Sequence, residues 1–154
     1  MVTLRRSPNR PTNRPRRRPR TRGQALVEFA LILPVFLLVL SGILDFGFLL
    51  YSRMTVINSA REGARAAVTA TENPTTIPSV AQAAAQAVAT TLSGGVTVAT
   101  TCVRSGGSCS FATATSSKPG DAVVVGVTYT YHTFFPLLFG TTIPLGSSVQ
   151  MVME

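Results

Sequence analysis

Hydrophobic positions fall into three regimes along this chain. From Gln24 to Leu44 they are nearly continuous, with a single carboxylate at Glu28. At about 1.5 Å per residue, these 21 residues reach about 31 Å as a helix, close to the thickness of bilayer hydrocarbon. Farther on, Leu50, Met54, Ile57, Ala60, Ala64 and Ala67 return at three- and four-residue steps, the period of one helix face. The two stretches are expected to form one long helix, membranous in its first half and amphipathic in its second. Arg53, Arg61 and Arg65 hold its polar positions, and Glu62 lies three residues from Arg65, within reach of an ion pair. After Ala122 the period drops to two. Val125, Val127, Tyr129 and Tyr131 alternate with Gly126, Thr128, Thr130 and His132, as in a strand with one buried face.

Residues 71–78 break the helical pattern with Asn73-Pro74 and Pro78. Ser79 is then the expected N-cap of an alanine-rich second helix reaching about Leu92, its apolar face made by Val80, Ala84, Ala87 and Val88. Gly94-Gly95 ends it. Strands are expected over 96–103, 109–115, 122–135 and 147–154, the last with Val149, Met151 and Met153 on one face. Lys118-Pro119-Gly120-Asp121 is turn chemistry. Phe134-Phe135-Pro136-Leu137-Leu138-Phe139-Gly140 is an apolar loop that either caps the domain core or forms a partner patch. The expected fold class is α+β: a long N-terminal transmembrane and amphipathic helix, then a small domain with a second helix and an antiparallel sheet. Four segments follow: a basic leader (1–23), a transmembrane helix (24–44), its extracytoplasmic continuation (45–70) and a small α+β domain (71–154). The last, about 85 residues, suffices for one small core.

Charge is segregated. The formal net charge of +8 comes from nine arginines in residues 1–22, which contain no acid. The rest of the chain holds five Lys/Arg against six Asp/Glu, a net charge of −1. A Pro- and Arg-rich leader with few apolar residues is expected to be disordered. Beside a membrane span it favours retention of the N-terminus in the cytoplasm, and it can also touch anionic lipid headgroups. A nucleic-acid arm is the weaker alternative, because no aromatic residue or folded reader accompanies the arginines. A cleavable secretory signal fits poorly. Leu40-Ser41-Gly42-Ile43 lacks a lipoprotein cysteine, Asp45-Phe46-Gly47 offers no small-x-small site, and the helical pattern runs on past the span.

Cys102 and Cys109 bracket a polar loop with two glycines. Outside the cytoplasm so close a pair is expected to oxidise to a local disulfide, with two buried free thiols as the alternative. A metal site would need more ligands than the single histidine, His132, offers. No nucleophile with a matching base, metal-ligand cluster or phosphate loop is evident, and Asp121 alone makes no acid–base pair, so neither enzymatic activity, a cofactor nor a small-molecule substrate is expected.

Gly23, four variable residues, Glu28 and a hydrophobic helix resemble the processing site of type IV prepilins and pseudopilins. The resemblance is closer to the TadE-like family. It rests on Arg22-Gly23-Gln24-Ala25-Leu26-Val27-Glu28-Phe29-Ala30, Leu33-Pro34, Asp45-Phe46-Gly47 and Ala60-Arg61-Glu62-Gly63-Ala64-Arg65. Pro119-Gly120-Asp121, the aromatic-proline loop and the terminal strand fit more loosely. The resemblance implies a minor pilin or pseudopilin of the tight-adherence (Tad, Flp-type) pilus, which serves surface adhesion and biofilm formation. It implies as partners a prepilin peptidase, other Tad pilins or pseudopilins, inner-membrane platform proteins and membrane lipid. An unprocessed, membrane-anchored scaffold outside the fibre is the alternative, and a membrane-tethered nucleic-acid binder a more distant one.

By that resemblance the peptidase cuts between Gly23 and Gln24, and Glu28 pairs with a freed amino terminus and sets subunit register. The plainer readings are a flexible joint at Gly23 and a headgroup-solvated Glu28. Pro34 removes a helix hydrogen bond and either loosens the span or is merely tolerated. Gly42 and Gly47 could admit a second helix, although their spacing is not the usual four. Asp45 either marks the outer membrane edge, hydrated, or makes a helix-packing contact. Arg61, Glu62 and Arg65 form a seam to another subunit or a solvated helix face.

Overall fold

A computed structural model describes residues 22–70, 73–107, 109–111, 120–136 and 140–153; the basic leader and residues 112–119 lie outside them. Helix α1 (Arg22–Thr69) is a single α-helix of 48 residues. The chain divides into two units, Met1–Leu37 and Leu38–Glu154, and the division falls inside α1. In the first, every residue from Gly23 to Leu37 is exposed, and Pro34 sits within the helix without ending it. These apolar side chains are not a protein core. The helix is long and apolar enough to cross a membrane.

The second unit is a two-layer α+β arrangement. After α1 come a 3-10 turn (Pro74–Thr76), helix α2 (Ile77–Val88), a second 3-10 turn (Ala89–Thr91) and strands β1 (Thr97–Val103), β2 (Ala122–His132) and β3 (Thr142–Val152). The sheet is antiparallel in the order β1-β2-β3. Central β2 buries Val123, Val125, Val127, Tyr129 and Tyr131, as its alternation dictates. Register places Val98 and Cys102 beside Val127 and Val123 on one side, and Val149, Leu145 and Ile143 beside Val125, Tyr129 and Tyr131 on the other. Pro144 is tolerated because β3 is an edge strand.

Several boundaries differ from expectation. β2 stops at His132 and β3 begins at Thr142, earlier than the apolar alternation of Val149, Met151 and Met153 marked. No strand is present at 109–111, and 112–115 lie outside the described residues. Ser79 is no cap: α2 begins two residues before it, Asn73 caps the preceding turn through Thr75 N–H, and the Ser79 hydroxyl donates back to the Thr76 carbonyl. The buried face of α2 is Ile77, Ala81 and Ala85, one residue out of step with the expected face of Val80, Ala84, Ala87 and Val88. Its polar residues are few, so composition alone did not fix the rotation of the helix.

The face of α1 differs for a physical reason. Ala60, Ala64 and Ala67 are buried as expected, but Leu50 and Met54 point outward, and the face is completed by Asp45, Ser52, Val56, Ser59 and Gly63. Small residues let the helix approach the sheet and α2 closely. Their hydroxyls cost little to bury because they bond back along the helix, Thr55 to the Tyr51 carbonyl (3.0 Å) and Ser59 to that of Thr55 (2.8 Å). Gly63 marks the tightest crossing. A Cβ there would lie 3.0 Å from the Ala81 carbonyl oxygen and 3.2 Å from both Ala85 Cβ and Val125 Cγ1, whereas one at Gly47 meets nothing within 4 Å. Gly63→Val is therefore expected to destabilise the domain by about 1–3 kcal/mol relative to the matched Gly47→Val, read from thermal or denaturant unfolding in detergent.

Candidate functional site

Asp45 is the first charged residue past the apolar stretch 29–44, one turn from Ser41 on the inner face of α1. It is only 2% exposed. A hydrated boundary marker it is not, because the domain folds over it. The Tyr131 hydroxyl donates to Asp45 Oδ1 at 2.6 Å and lies 3.3 Å from the Asp45 carbonyl. The backbone N–H groups of Phe134 and Phe135 point at Oδ1 and Oδ2, each at 3.4 Å. Tyr131 is presented by the end of β2, and the two amides belong to the loop that follows. That loop is closed at its neck: Thr133 N–H donates to the Thr141 carbonyl (3.2 Å), the Thr133 hydroxyl to that of Gly140, and Gly140 N–H to that of Pro136 (3.0 Å). Gly140 has φ +77°, the left-handed conformation that makes glycine the natural choice there.

Burial pushes the Tyr131 hydroxyl pKa up, and the Asp45 carboxylate raises it further by accepting its hydrogen bond and by its charge. Phe134 and Phe135 do not cap the core. Phe134 is 66% and Phe135 44% exposed, and the Phe134 ring packs against Phe48 of α1 with centroids 5.5 Å apart. The reason is that the Asp45 carboxylate claims the loop's amides and leaves the rings outside. Leu137, Leu138 and Phe139 lie outside the described residues. Beside the clasp a groove of about 250 Å³ runs between Phe48, Tyr51, Tyr129 and Phe134, below the usual size of a small-molecule pocket.

A second polar cluster holds the far end of the sheet. Cys102 and Cys109 form a disulfide with Cα atoms 5.6 Å apart. Within the loop it closes, Arg104 makes a two-pronged pair with Asp121, Nε to Oδ1 at 2.6 Å and Nη2 to Oδ2 at 2.5 Å. Asp121 is buried, and its hydrogen bond holds the Arg104 guanidinium pKa above its ordinary value. The backbone of Met153 closes the same corner, exchanging bonds with Gly120 and Asp121 at 2.8 Å. Ligand atoms of Cys102, Cys109 and Asp121 lie within 4.8 Å of one another, but the sulfurs are joined to each other and the carboxylate is held by Arg104. The group is a staple. Sequence reading missed this ion pair and the Asp45 clasp, since each joins residues whose proximity depends on strand register.

The remaining candidates stand apart. Gly23, Gln24 and Glu28 lie exposed in the opening turns of α1, and Pro34 is exposed along it. Gly42 is half-buried and Gly47 exposed. Arg61 and Arg65 face outward, Arg65 pairing with Glu62 at 3.5 Å with both side chains largely in solvent, an interaction of little weight.

Residues 23–65 match the family model TadE-like protein. The TadE-like segment thus begins at Gly23 and includes both Asp45 and Gly63, while α2 and the sheet lie beyond it. The match suggests a protein associated with the Tad pilus. Neither a curated protein nor a solved structure matches the chain.

The clasp carries a pH signature. Up to the ordinary tyrosine value of 10.0 the hydroxyl keeps its proton whether folded or unfolded, and its contribution to stability is constant. Above that value the unfolded chain loses the proton first, so stability falls as pH rises. Tyr131→Phe is expected to flatten this alkaline limb in a pH series of thermal unfolding.

Proposed function

We propose that the chain is a minor pilin- or pseudopilin-like subunit, or an assembly factor, of a Tad (Flp-type) pilus, acting structurally rather than as an enzyme. The observation that carries this reading is the TadE-like match, which starts at the glycine of the expected processing site and follows one helix from an uncovered apolar stretch to the packed stretch. In this reading the arginine-rich leader stays in the cytoplasm, residues 24–44 span the membrane, and the domain lies outside, where its Cys102–Cys109 disulfide is stable. A prepilin peptidase cuts between Gly23 and Gln24, and Glu28 then pairs with a new amino terminus, its own or a neighbour's. Other Tad pilins and platform proteins are its partners, and adhesion and biofilm formation its output.

The experiment is the mass of the mature chain after co-expression with a prepilin peptidase from the same genome. A chain starting at Gln24 is expected, with cleavage lost in Gly23→Ala. An added Cβ at Gly23 meets nothing within 4 Å, so the substitution probes recognition rather than folding. A chain that keeps Met1 would instead support a permanent anchor outside the fibre.

A further inference from the structure

The exposed apolar surface of α1 does not stop at Leu44. Phe46, Phe48, Leu50 and Tyr51 are all about half exposed, and Arg53 is the first charged side chain turned outward beyond Leu44. Residues 24–51, 28 in number, extend about 42 Å as a helix, the hydrocarbon core plus its interfacial layers. With residues 24–44 as the membrane anchor, residues 45–51 would fall in the interfacial layer, where the Asp45 carboxylate is shielded by Tyr131 and the loop amides.

The same hydrogen bonds fix the height of the loop. Its amides meet Asp45, and the Phe134 ring meets Phe48, so Phe134, Phe135 and Pro136 lie level with that layer and turn apolar surface outward. From Ala122 to Met153 the sequence has no Lys, Arg, Asp or Glu, so no charge on this part of the domain opposes contact with acyl chains. Aromatic residues concentrate at this depth in membrane proteins.

We propose that the loop Phe134-Phe135-Pro136 is a second membrane contact, seated in the bilayer interface beside Phe46 and Phe48 and holding the domain against the lipid surface. The occupant of this exposed patch is lipid. The proposal rests on the membrane-anchor reading of residues 24–44, and its test separates the two.

The chain contains no tryptophan, so a single substitution gives a unique reporter. Phe134→Trp replaces a mostly exposed ring and leaves the clasp intact, since Asp45 binds the backbone there. Phe36→Trp reports on the span. Val103→Trp sits exposed at the opposite end of the sheet, about 33 Å away along β2. Each full-length variant is reconstituted into phosphatidylcholine vesicles with and without acyl-chain bromination. Phe134→Trp is expected to shift to the blue and lose a large share of its emission to brominated lipid, as Phe36→Trp does, while Val103→Trp is unaffected. If Phe36→Trp is quenched and Phe134→Trp behaves like Val103→Trp, the loop contact is overturned and the anchor stands. If Phe36→Trp escapes quenching, both fall.

Discussion

A buried carboxylate joins the long helix to the domain. Taking Asp45 out of water without partners would cost several kcal/mol, and the cost is offset only because one hydroxyl and two amides converge on it. Those donors come from the end of β2 and from the loop after it, so satisfying Asp45 fixes where both lie on α1. Upward from this point the fit is made by small side chains. Ser52, Ser59, Ala60, Gly63 and Ala64 bring the helix close enough for Val125 and α2 to meet it at Gly63. The domain is therefore held by one polar clasp and one tight crossing, some 18 residues apart along α1.

How much of this was legible in the sequence depended on the kind of signal. The length of α1 and the inward row of β2 follow from periodicity and bulk, which read the same in isolation as in the fold. The disulfide was legible from spacing and a polar loop. The helix face was only half legible: Leu50 and Met54 look like core residues, whereas the residues that pack include serine, threonine and glycine, whose value lies in what they lack. Hydroxyl back-bonds remove the usual reason to expose them. Asp45 misled for the opposite reason, since a lone acid after an apolar run reads as a boundary until its donors, 86 to 90 residues away, are known. The Arg104–Asp121 pair was hidden in the same way.

The two faces of α1 thus have different work. The inner face carries the domain, through the clasp next to the apolar stretch and the glycine crossing farther along the helix. The outer face keeps Ile43, Leu50 and Met54 exposed, with Arg61 and Arg65 beyond them. The TadE-like match spans the apolar stretch and Asp45 but not the clasp's donors, and it stops soon after the crossing at Gly63. The matched segment accordingly lies within α1, while α2 and the sheet lie beyond it.

The most direct test is a double-mutant cycle between Asp45→Ala and Tyr131→Phe, measured as unfolding free energy in detergent micelles. A buried hydrogen bond to a charged acceptor predicts a coupling of about 1.5–3 kcal/mol between the two substitutions. Effects that simply add, to within about 0.5 kcal/mol, would contradict the clasp as the bond on which the helix and domain depend.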